Sequence, residues 1–234
     1  MRSFLPALAA LVLAARPLAA QVGVPPDQSP YRDITRPNAL IFSYGHIGGG
    51  GGSLAIGPHD GDAWTLRYDV RLSGLLGAHL GFGHFVGVRD AYATGPKDSI
   101  ATRRTTGYQQ SVTFLGAGIQ VAITGPKTWH RLAPYVDLDF GAAIGNTLAA
   151  DTSSAYQFGT KLYFAPGIGV QWFLTPRVRL RGDAHLLYWK LKYPPTFFQA
   201  PPDGVTAAPI VTDPTKVSEW TGTGWLSLGL AVSF

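Results

Sequence analysis

Apolar residues alternate with small or charged residues along several stretches of the chain. Between Trp220 and Phe234, Ser, Ala and Gly separate apolar residues at every second position, namely Leu226, Leu228, Leu230, Val232 and Phe234. This period of two predicts a β-strand with one apolar face. An apolar face of about ten residues has the length of a strand that crosses a bilayer, where lipid covers it.

The same alternation recurs upstream, with charged residues on the second face. The three clearest cases are as follows. In the first, Trp64, Leu66, Tyr68, Val70 and Leu72 alternate with Thr65, Arg67, Asp69, Arg71 and Ser73; in the second, Val136, Leu138, Phe140 and Ile144 alternate with Tyr135, Asp137, Asp139 and Gly141. In the third, Val178, Leu180, Ala184, Leu186 and Tyr188 alternate with Arg179, Arg181, Asp183 and His185. A water-soluble barrel would point its apolar face inward. Charged residues on the second face, which must then point into the narrow interior, therefore indicate a lipid-facing exterior and a polar interior.

Eight strand segments are predicted in all. They lie near 38–48, 63–73, 75–89, 108–124, 131–146, 157–173, 176–190 and 220–234. The first of them is ambiguous, because Leu40, Phe42 and Tyr44 compete with Ile41 and Ile47 for the apolar face.

The connections between these segments alternate in length. Three short turns lie around Gly74, Gly125–Lys127 and Leu174–Pro176, whereas the connections 49–62, 90–107, 147–156 and 191–219 are long and polar. Short periplasmic turns and long outer loops are typical of transmembrane barrels, and an even number of strands closes the sheet without an exposed edge. The predicted fold class is all-β: a closed eight-stranded antiparallel transmembrane β-barrel, arranged as an up-and-down meander.

Several irregularities are predicted within the strands. A bulge is expected near Gly107–Val112, and Pro134 and Pro166 are expected at bulges or strand ends because proline cannot donate a ladder hydrogen bond. Glycine pairs at i and i+2 fall on the inward face, at Gly81/Gly83, Gly116/Gly118 and Gly167/Gly169. In so narrow a barrel they would make room for Arg and Tyr side chains from opposite strands.

The chain before the first strand divides into two parts. Residues 1–20 read as an export signal, with a positive start at Arg2, an apolar run over 4–15 and small residues before Gln21. Residues 21–37 contain several prolines and are predicted to be an irregular periplasmic lead-in, so that the barrel covers 38–234.

Composition agrees with an exported protein and excludes some partners. The chain has no cysteine, so disulfides are excluded. Removal of Arg2 and Arg16 with the signal leaves 17 of the 19 basic residues against 14 acidic ones, a formal charge of +3. This charge is too small to indicate nucleic-acid binding.

The terminal strand resembles the C-terminal strand of bacterial outer-membrane barrels, which ends on an aromatic residue such as Phe234. Residues 38–234 as a whole resemble the small OmpA-like and OmpX-like barrels. The resemblance implies an outer-membrane location, transit with periplasmic chaperones, and insertion by the barrel assembly machinery. It implies an assembly signal at Leu226, Leu228, Leu230, Val232 and Phe234, and a monomer surrounded by outer-membrane lipids and lipopolysaccharide. It implies no particular activity.

Charged residues on the inward face form the main candidate constellation. They are Arg67, Asp69, Arg71, Asp137, Asp139, Lys161, Arg179, Arg181 and Asp183. Buried ions must pair or stay hydrated, so the near balance of sign predicts a cross-linked polar plug. Asp137 and Asp139 are each expected within hydrogen-bonding reach of one of the basic groups; an ion or proton relay is the alternative.

The predicted function is that of a non-enzymatic integral outer-membrane protein, structural or surface-binding through its outer loops. Lys97, Arg103 and Arg104 are candidate contacts for lipopolysaccharide phosphates, and Tyr193, Phe197 and Phe198 are a candidate contact surface unless they pack on the barrel rim.

Two other functions stay open at this point. A lipid A-modifying enzyme would use the outward histidines His84 and His46, although no outward Ser with an acid is spaced to complete a nucleophile–base set. A narrow solute or ion channel is the second. No cofactor, metal or catalytic residue is predicted.

Overall fold

The residues that the structure describes include ten strands and two short 3-10 turns. The computed structural model describes residues 28–93, 103–152, 154–199 and 208–234. The strands are β1 (Tyr31–Asp33), β2 (Ala39–Ile47), β3 (His59–Arg71), β4 (Leu76–Tyr92), β5 (Arg104–Ala122), β6 (Lys127–Trp129), β7 (Leu132–Gly145), β8 (Thr160–Phe173), β9 (Val178–Lys192) and β10 (Ser218–Ser233), with 3-10 turns at Ala149–Asp151 and Pro195–Phe198. None of the helical turns in these ranges is long and apolar enough to cross a bilayer.

Eight of the strands close into an antiparallel barrel, as predicted. Each pairs with the next in the order β2, β3, β4, β5, β7, β8, β9 and β10. The last strand then pairs with the first, from Trp225 opposite Ile47 to Ser233 opposite Ala39. Closure leaves no free edge among these strands, and this satisfies the backbone hydrogen-bonding groups that lipid cannot.

The alternation of the sequence sorts side chains onto two faces of this wall. Large apolar residues on the outer face are exposed to the surroundings, with Leu228 as much as 76% exposed. Their charged neighbours along the chain, such as Arg67, Asp137 and Arg181, are buried inside the barrel. An apolar exterior without a covering layer of protein is the surface that lipid solvates.

Both terminal strands of the barrel follow this rule. In β2, Leu40, Phe42 and Tyr44 are exposed on the outer face, whereas Ile41 and Ile47 are buried inside, which resolves the ambiguity of the first segment. In β10 the outward residues are Leu226, Leu228, Leu230, Val232 and Phe234. The placement of these five suits recognition by an assembly factor, and their role as an assembly signal stays a prediction.

The predicted bulge lies at the start of the stretch proposed for it. Between Arg89 and Ala91 of β4, the register with β5 shifts by one residue, and Gly107 there has φ +80°. A residue with positive φ at a bulge is most often glycine. A second bulge, which the sequence did not predict, lies in β3 between His59 and Asp62 and places Asp60 at φ +48°.

Two expectations about irregular backbone need correction. Pro166 lies inside β8 without a bulge: the β8–β9 register is the same on both sides of it, and the ladder loses only the pairs between Phe164 and Gly167. The lead-in is also not wholly irregular, because Tyr31–Asp33 forms β1 and pairs with β6 beside the turn that follows β5. Pro134, in contrast, lies near the start of β7, as expected.

The two ends of the barrel differ in the length of their connections. We call the end with the short connections 72–75, 123–131 and 174–177 the turn end, and the end with the connections 48–58, 146–159 and 193–217 the loop end. The β4–β5 connection also lies at the loop end, and part of it falls outside the described residues.

Trypsin should distinguish the two ends in intact cells. Lys216 is exposed at the loop end and Arg177 is exposed at the turn end. If the loops face the medium, we expect cleavage after Lys216 in intact cells and cleavage after Arg177 only once the outer membrane is permeabilised. Mass spectrometry of the fragments measures this. Cleavage after Arg177 in intact cells would invert the orientation.

Candidate functional site in the barrel lumen

Two arginines join four strands across the turn-end half of the lumen. Arg67 of β3 donates from Nε to Asp69 Oδ1 at 2.6 Å and from Nη1 to Asp137 Oδ2 at 3.0 Å. Arg181 of β9 donates from Nη1 to Asp69 Oδ2 at 3.1 Å and from Nη2 to Asp137 Oδ2 at 3.2 Å, and its Nε binds Asp183 at 2.8 Å. We call this group, with Asp139, the charge layer.

Neutral side chains complete the charge layer. Gln120 Oε1 accepts from Arg67 Nη2 at 3.0 Å and lies 3.3 Å from Arg181 Nη1. The Tyr135 hydroxyl donates to Asp183, and the Arg181 guanidinium lies over the Tyr135 ring at 4.5 Å. Each guanidinium therefore meets several acceptors, which buried charges require.

Asp139 lies closer to two histidines than to the arginines expected for it. Arg67 Nη1 is 3.9 Å from Asp139 Oδ1, whereas His79 Nε2 is in direct hydrogen-bonding contact with that oxygen. His185 Nε2 lies 3.2 Å from Asp139 Oδ2 and 3.1 Å from Asp137 Oδ1. Sequence patterning put His185 on the inward face but gave no sign of these partners, and His79 was not identified at all.

Three of the predicted lumen charges stand apart from this layer. In the part of the chain that the structure describes, Arg71, Lys161 and Arg179 form no ion pair. Arg179 lies over the Phe173 ring at 5.2 Å, and Lys161 lies over the Phe158 ring at 5.5 Å. Cation–π contact thus takes the place of a carboxylate for these two. The prediction that all nine charged residues form a single network is therefore wrong.

The prediction that inward glycines make room for Arg and Tyr from opposite strands holds only in part. Four of the six glycines make room for Tyr or His rings, and three of these rings come from an adjacent strand. A Cβ at Gly169 would overlap the Tyr135 hydroxyl, and one at Gly118 would overlap the His79 ring. Each of these rings belongs to the residue paired directly with its glycine. The side chain lies flat across the neighbouring strand, so it occupies the lumen without colliding with the far wall.

Aromatic side chains fill the loop-end half of the lumen. Phe114 packs against Tyr163 at 5.3 Å, Trp225 at 6.0 Å and Trp189 at 6.4 Å between ring centroids. Apolar residues of the loop-end connections, including Ile56, Phe158 and Ile210, extend this cluster outward. We call it the aromatic layer, which the prediction of a purely polar plug did not include.

The outer-loop aromatics belong to this layer, which corrects their assignment as a contact surface. Phe197 is 0% exposed and packs against Tyr92, Tyr156 and Tyr193. Tyr193 is also buried, and Phe198 is half-buried against the cluster. Burial, with Glu219 nearby, raises the pKa of the Tyr193 phenol, which therefore stays neutral and able to donate a hydrogen bond.

The basic loop residues differ from one another in exposure. Arg103 is buried and donates to the Ala208 carbonyl, so it is not available to lipopolysaccharide. Arg104 is partly exposed but paired with Asp90, with Nε 2.6 Å from Oδ2. Lys97 lies outside the described residues.

A second buried ion pair lies at the loop end. Arg89 is fully buried and contacts Asp151 of the 3-10 turn Ala149–Asp151. Its Nε donates to Gln110 Oε1 at 2.9 Å, and its guanidinium lies 5.1 Å from the Tyr156 ring centroid. The pairing of a strand residue with a loop residue gives no periodic signal, so the sequence did not predict it.

Little space remains between the two layers. A cavity of about 50 Å³ is lined by residues that include Arg67, His79, Asp139 and His185, and one of about 40 Å³ lies toward the turn end beside Arg71 and Arg179. A cavity needs about 10–15 Å³ of this volume to hold a water molecule. Each cavity therefore has room for only a few water molecules.

The outward histidines do not assemble a catalytic set among the described residues. His46 Nε2 is 3.1 Å from Asp60 Oδ1 and its Nδ1 is 3.2 Å from Asp62 Oδ1, so carboxylates occupy both ring nitrogens. His84 has a long 3.4 Å contact with Thr113 Oγ1. A base needs one free nitrogen toward a nucleophile and an acid on the other. Neither histidine has this arrangement.

Arg181 and Arg179 offer a matched test of the charge layer, because both are 3% exposed inward residues of β9. Arg181→Met should leave Asp69, Asp137 and Asp183 short of a cation and lower the free energy of unfolding by about 3–5 kcal/mol. Arg179→Met removes a cation that makes no ion pair among the described residues and should cost far less. Urea unfolding in lipid vesicles measures both. Equal losses would contradict the separate roles.

Phe197 and Phe198 test the aromatic layer in the same way. Phe197→Ala opens a cavity beneath three tyrosines and should cost about 3–5 kcal/mol, whereas Phe198→Ala, at a half-buried position, should cost clearly less. The rate of trypsin cleavage after Lys216 reports opening of the loop. A surface-contact role would instead leave stability unchanged in both variants.

The comparisons with known proteins bear on the fold. No protein-family model matches the chain, and no curated protein matches it. Similar solved structures include the outer membrane protein OprG from Pseudomonas aeruginosa, with 10% identity over 88% of this chain and 99% of that chain and a TM-score of 0.51. Neisserial surface protein A is 14% identical over 88% of this chain and 98% of that chain, with a TM-score of 0.49.

A third structure is that of the outer membrane protein AlkL in lipid bilayers, which is 19% identical over 85% of this chain and 90% of that chain, with a TM-score of 0.43. At these identities the likeness concerns the fold and not the activity. The closed eight-stranded meander and the uncovered apolar exterior agree with it. The chain therefore has the fold of a small closed eight-stranded β-barrel, which it shares with the outer membrane protein OprG.

Proposed function

We propose that this protein is a non-enzymatic outer-membrane barrel with a closed lumen, which acts as a structural element and through its loop-end surface. The observation that carries the proposal is the filled lumen. Arg67 and Arg181 cross-link Asp69, Asp137 and Asp183 in one half, and aromatic rings occupy the other. A barrel filled in this way supports a scaffold role better than transport.

A conducting pore would need a different interior. Pores are lined by side chains that stand free in water, often with one sign of charge. Here the guanidinium groups reach across the lumen to carboxylates on other strands, and the two small cavities of the lumen have room for only a few water molecules each. Ions would have to break several buried ion pairs to pass.

Hydrogen bonds that join the loop-end connections to one another and to the strands favour a rigid surface. Tyr92 and Tyr156 donate hydrogen bonds at 3.2 Å to the carbonyls of Leu54 and Ile56 in the first loop-end connection. Ser53 binds both Tyr193, at 3.0 Å between hydroxyl oxygens, and Glu219, at 2.8 Å from its backbone nitrogen. Connections joined in this way present a preformed surface, and recognition by a preformed surface loses little entropy on binding. Outer-membrane lipids and lipopolysaccharide are the proposed surroundings.

Conductance and stability measured on the same proteins test the closed lumen. Wild-type protein in planar bilayers should show no steady ion current. Asp137→Ala removes a buried carboxylate that accepts from both Arg67 and Arg181, so it should lose about 3–5 kcal/mol of unfolding free energy. Asp213→Ala is the control, since Asp213 bonds only its loop neighbours Thr215 and Lys216 in the described hydrogen bonds.

The two readings make opposite predictions for this pair of variants. A closed scaffold predicts an unstable Asp137→Ala protein and a control that behaves as wild type. A channel predicts a stable Asp137→Ala protein with altered ion selectivity, because the carboxylate would be a hydrated pore-lining group. Steady wild-type current, or the second pattern, would overturn the proposal.

A further inference from the structure

Three ligand-type atoms converge inside the charge layer. Asp137, Asp139 and His185 each direct one oxygen or nitrogen to a common point, and these three atoms lie within 4.8 Å of one another. The His185 Nε2 atom is 3.1 Å from Asp137 Oδ1 and 3.2 Å from Asp139 Oδ2. Ligands held about 2.0–2.1 Å from a tetrahedral metal ion lie about 3.3 Å apart. The observed spacing is close to that value.

Two of these atoms are buried without a hydrogen bond. Asp137 Oδ1 and His185 Nε2 lie 3.1 Å apart but are not aligned for a hydrogen bond and have no other hydrogen-bond partner, although the side chains are 0% and 5% exposed. The other oxygen of Asp137 is bound by both arginines, so only Oδ1 faces His185. A buried polar atom left unpaired is costly and points to a missing partner.

Charge balance indicates that the missing partner is a cation. Four carboxylates, those of Asp69, Asp137, Asp139 and Asp183, meet only the two guanidinium groups of Arg67 and Arg181. Arg179, at the turn end, makes no ion pair among the described residues. The layer therefore carries two excess negative charges if both histidines are neutral. One divalent ion would neutralise them.

The surrounding residues hold the three ligands in place. The His185 ring lies across Gly167, where a Cβ would overlap it, and packs 5.5 Å from the Trp225 ring. His79 contacts the oxygen of Asp139 that faces away from His185. A hydrogen bond such as that from His79 orients a ligating carboxylate, whereas the ring of His185 is held by packing alone, since its Nδ1 atom has no hydrogen bond among the described residues. The adjacent cavity of about 50 Å³ has room for a water molecule as a fourth ligand.

We propose that Asp137 Oδ1, Asp139 Oδ2 and His185 Nε2 form a buried binding site for a divalent transition-metal ion within the barrel lumen. One imidazole nitrogen and two carboxylate oxygens form a donor set suited to Zn²⁺, Mn²⁺, Fe²⁺ or Co²⁺, and less suited to the all-oxygen preference of Ca²⁺ or Mg²⁺. The ion would join β7 to β9 and act as a structural cross-link.

Zinc binding to the tag-free full chain tests the proposal. The protein is stripped with chelator during unfolding and refolded in detergent with or without Zn²⁺, because a buried site is best loaded as the barrel forms. We expect about one Zn²⁺ per chain by elemental analysis after gel filtration, and a urea midpoint that rises with Zn²⁺ concentration. Refolding with Co²⁺ should give visible absorption bands from nitrogen and oxygen ligation.

Substitutions then locate the ion. His185→Gln and Asp139→Asn should lose stoichiometric Zn²⁺, while His79→Gln, which removes only a positioning contact, should weaken binding about 10–100-fold. His84→Gln, on the outer face, is the matched control and should bind as wild type. Heat-modifiable migration on gels confirms that each variant is folded; if a ligand variant does not fold, the wild-type Zn²⁺ stoichiometry and Co²⁺ spectrum still decide.

The alternative is that a proton on His185 supplies the positive charge. In that case wild-type protein refolded with Zn²⁺ would contain no more metal than His185→Gln, and its urea midpoint would not change with Zn²⁺. Either result would overturn the metal site. Neither depends on conductance, so failure here is distinct from failure of the closed-lumen proposal.

Discussion

The absence of water around the wall is the constraint on which the rest of this structure depends. Every backbone N–H and C=O at membrane depth must be paired within the wall, so β10 must close on β2. Lipid also requires an apolar exterior, and residues such as Leu228 meet that need while their neighbours along the strand point inward. An eight-stranded barrel has an interior only wide enough for side chains. Its lumen must therefore be packed.

The lumen is packed in two ways. In the turn-end half, buried charges meet each other, and Arg67 and Arg181 can each satisfy several carboxylates because a guanidinium carries donors in three directions. In the loop-end half, rings such as Phe114 and Trp189 exclude water by their volume. Glycine gives room for rings at the boundary, as Gly116 of β5 does for Tyr163 of β8, two strands away. The inward positions, which recur at every second residue of a strand, therefore carry charged side chains in one half of the lumen and aromatic side chains in the other.

The sequence predicted the fold well because a period of two carries the needed information. Alternation identified eight strands and the inward direction of the charge-layer residues, which are Arg67, Asp69, Asp137, Asp139, Arg181 and Asp183. It could not say which inward residues meet, since that depends on how far adjacent strands are staggered around the wall. Asp139 thus contacts His79 and His185 and not an arginine. Phe197 was also missed as a core residue, because a connection without periodicity gives no sign of burial.

The aromatic layer covers the charge layer on its loop-end side and changes the energy of the charges inside it. Ion pairs gain strength where lipid on the outside and rings above keep the local dielectric constant low, but only if each charge is matched. The aromatic layer supplies that cover: Trp225 lies against His185, and Phe114 lies beside the cavity that borders Asp139. Because the aromatic layer keeps water out at the loop end, a carboxylate in the charge layer that lacks a positive partner costs more free energy. A layer with four carboxylates and two arginines consequently needs further positive charge, whether from histidine protons or from a bound ion.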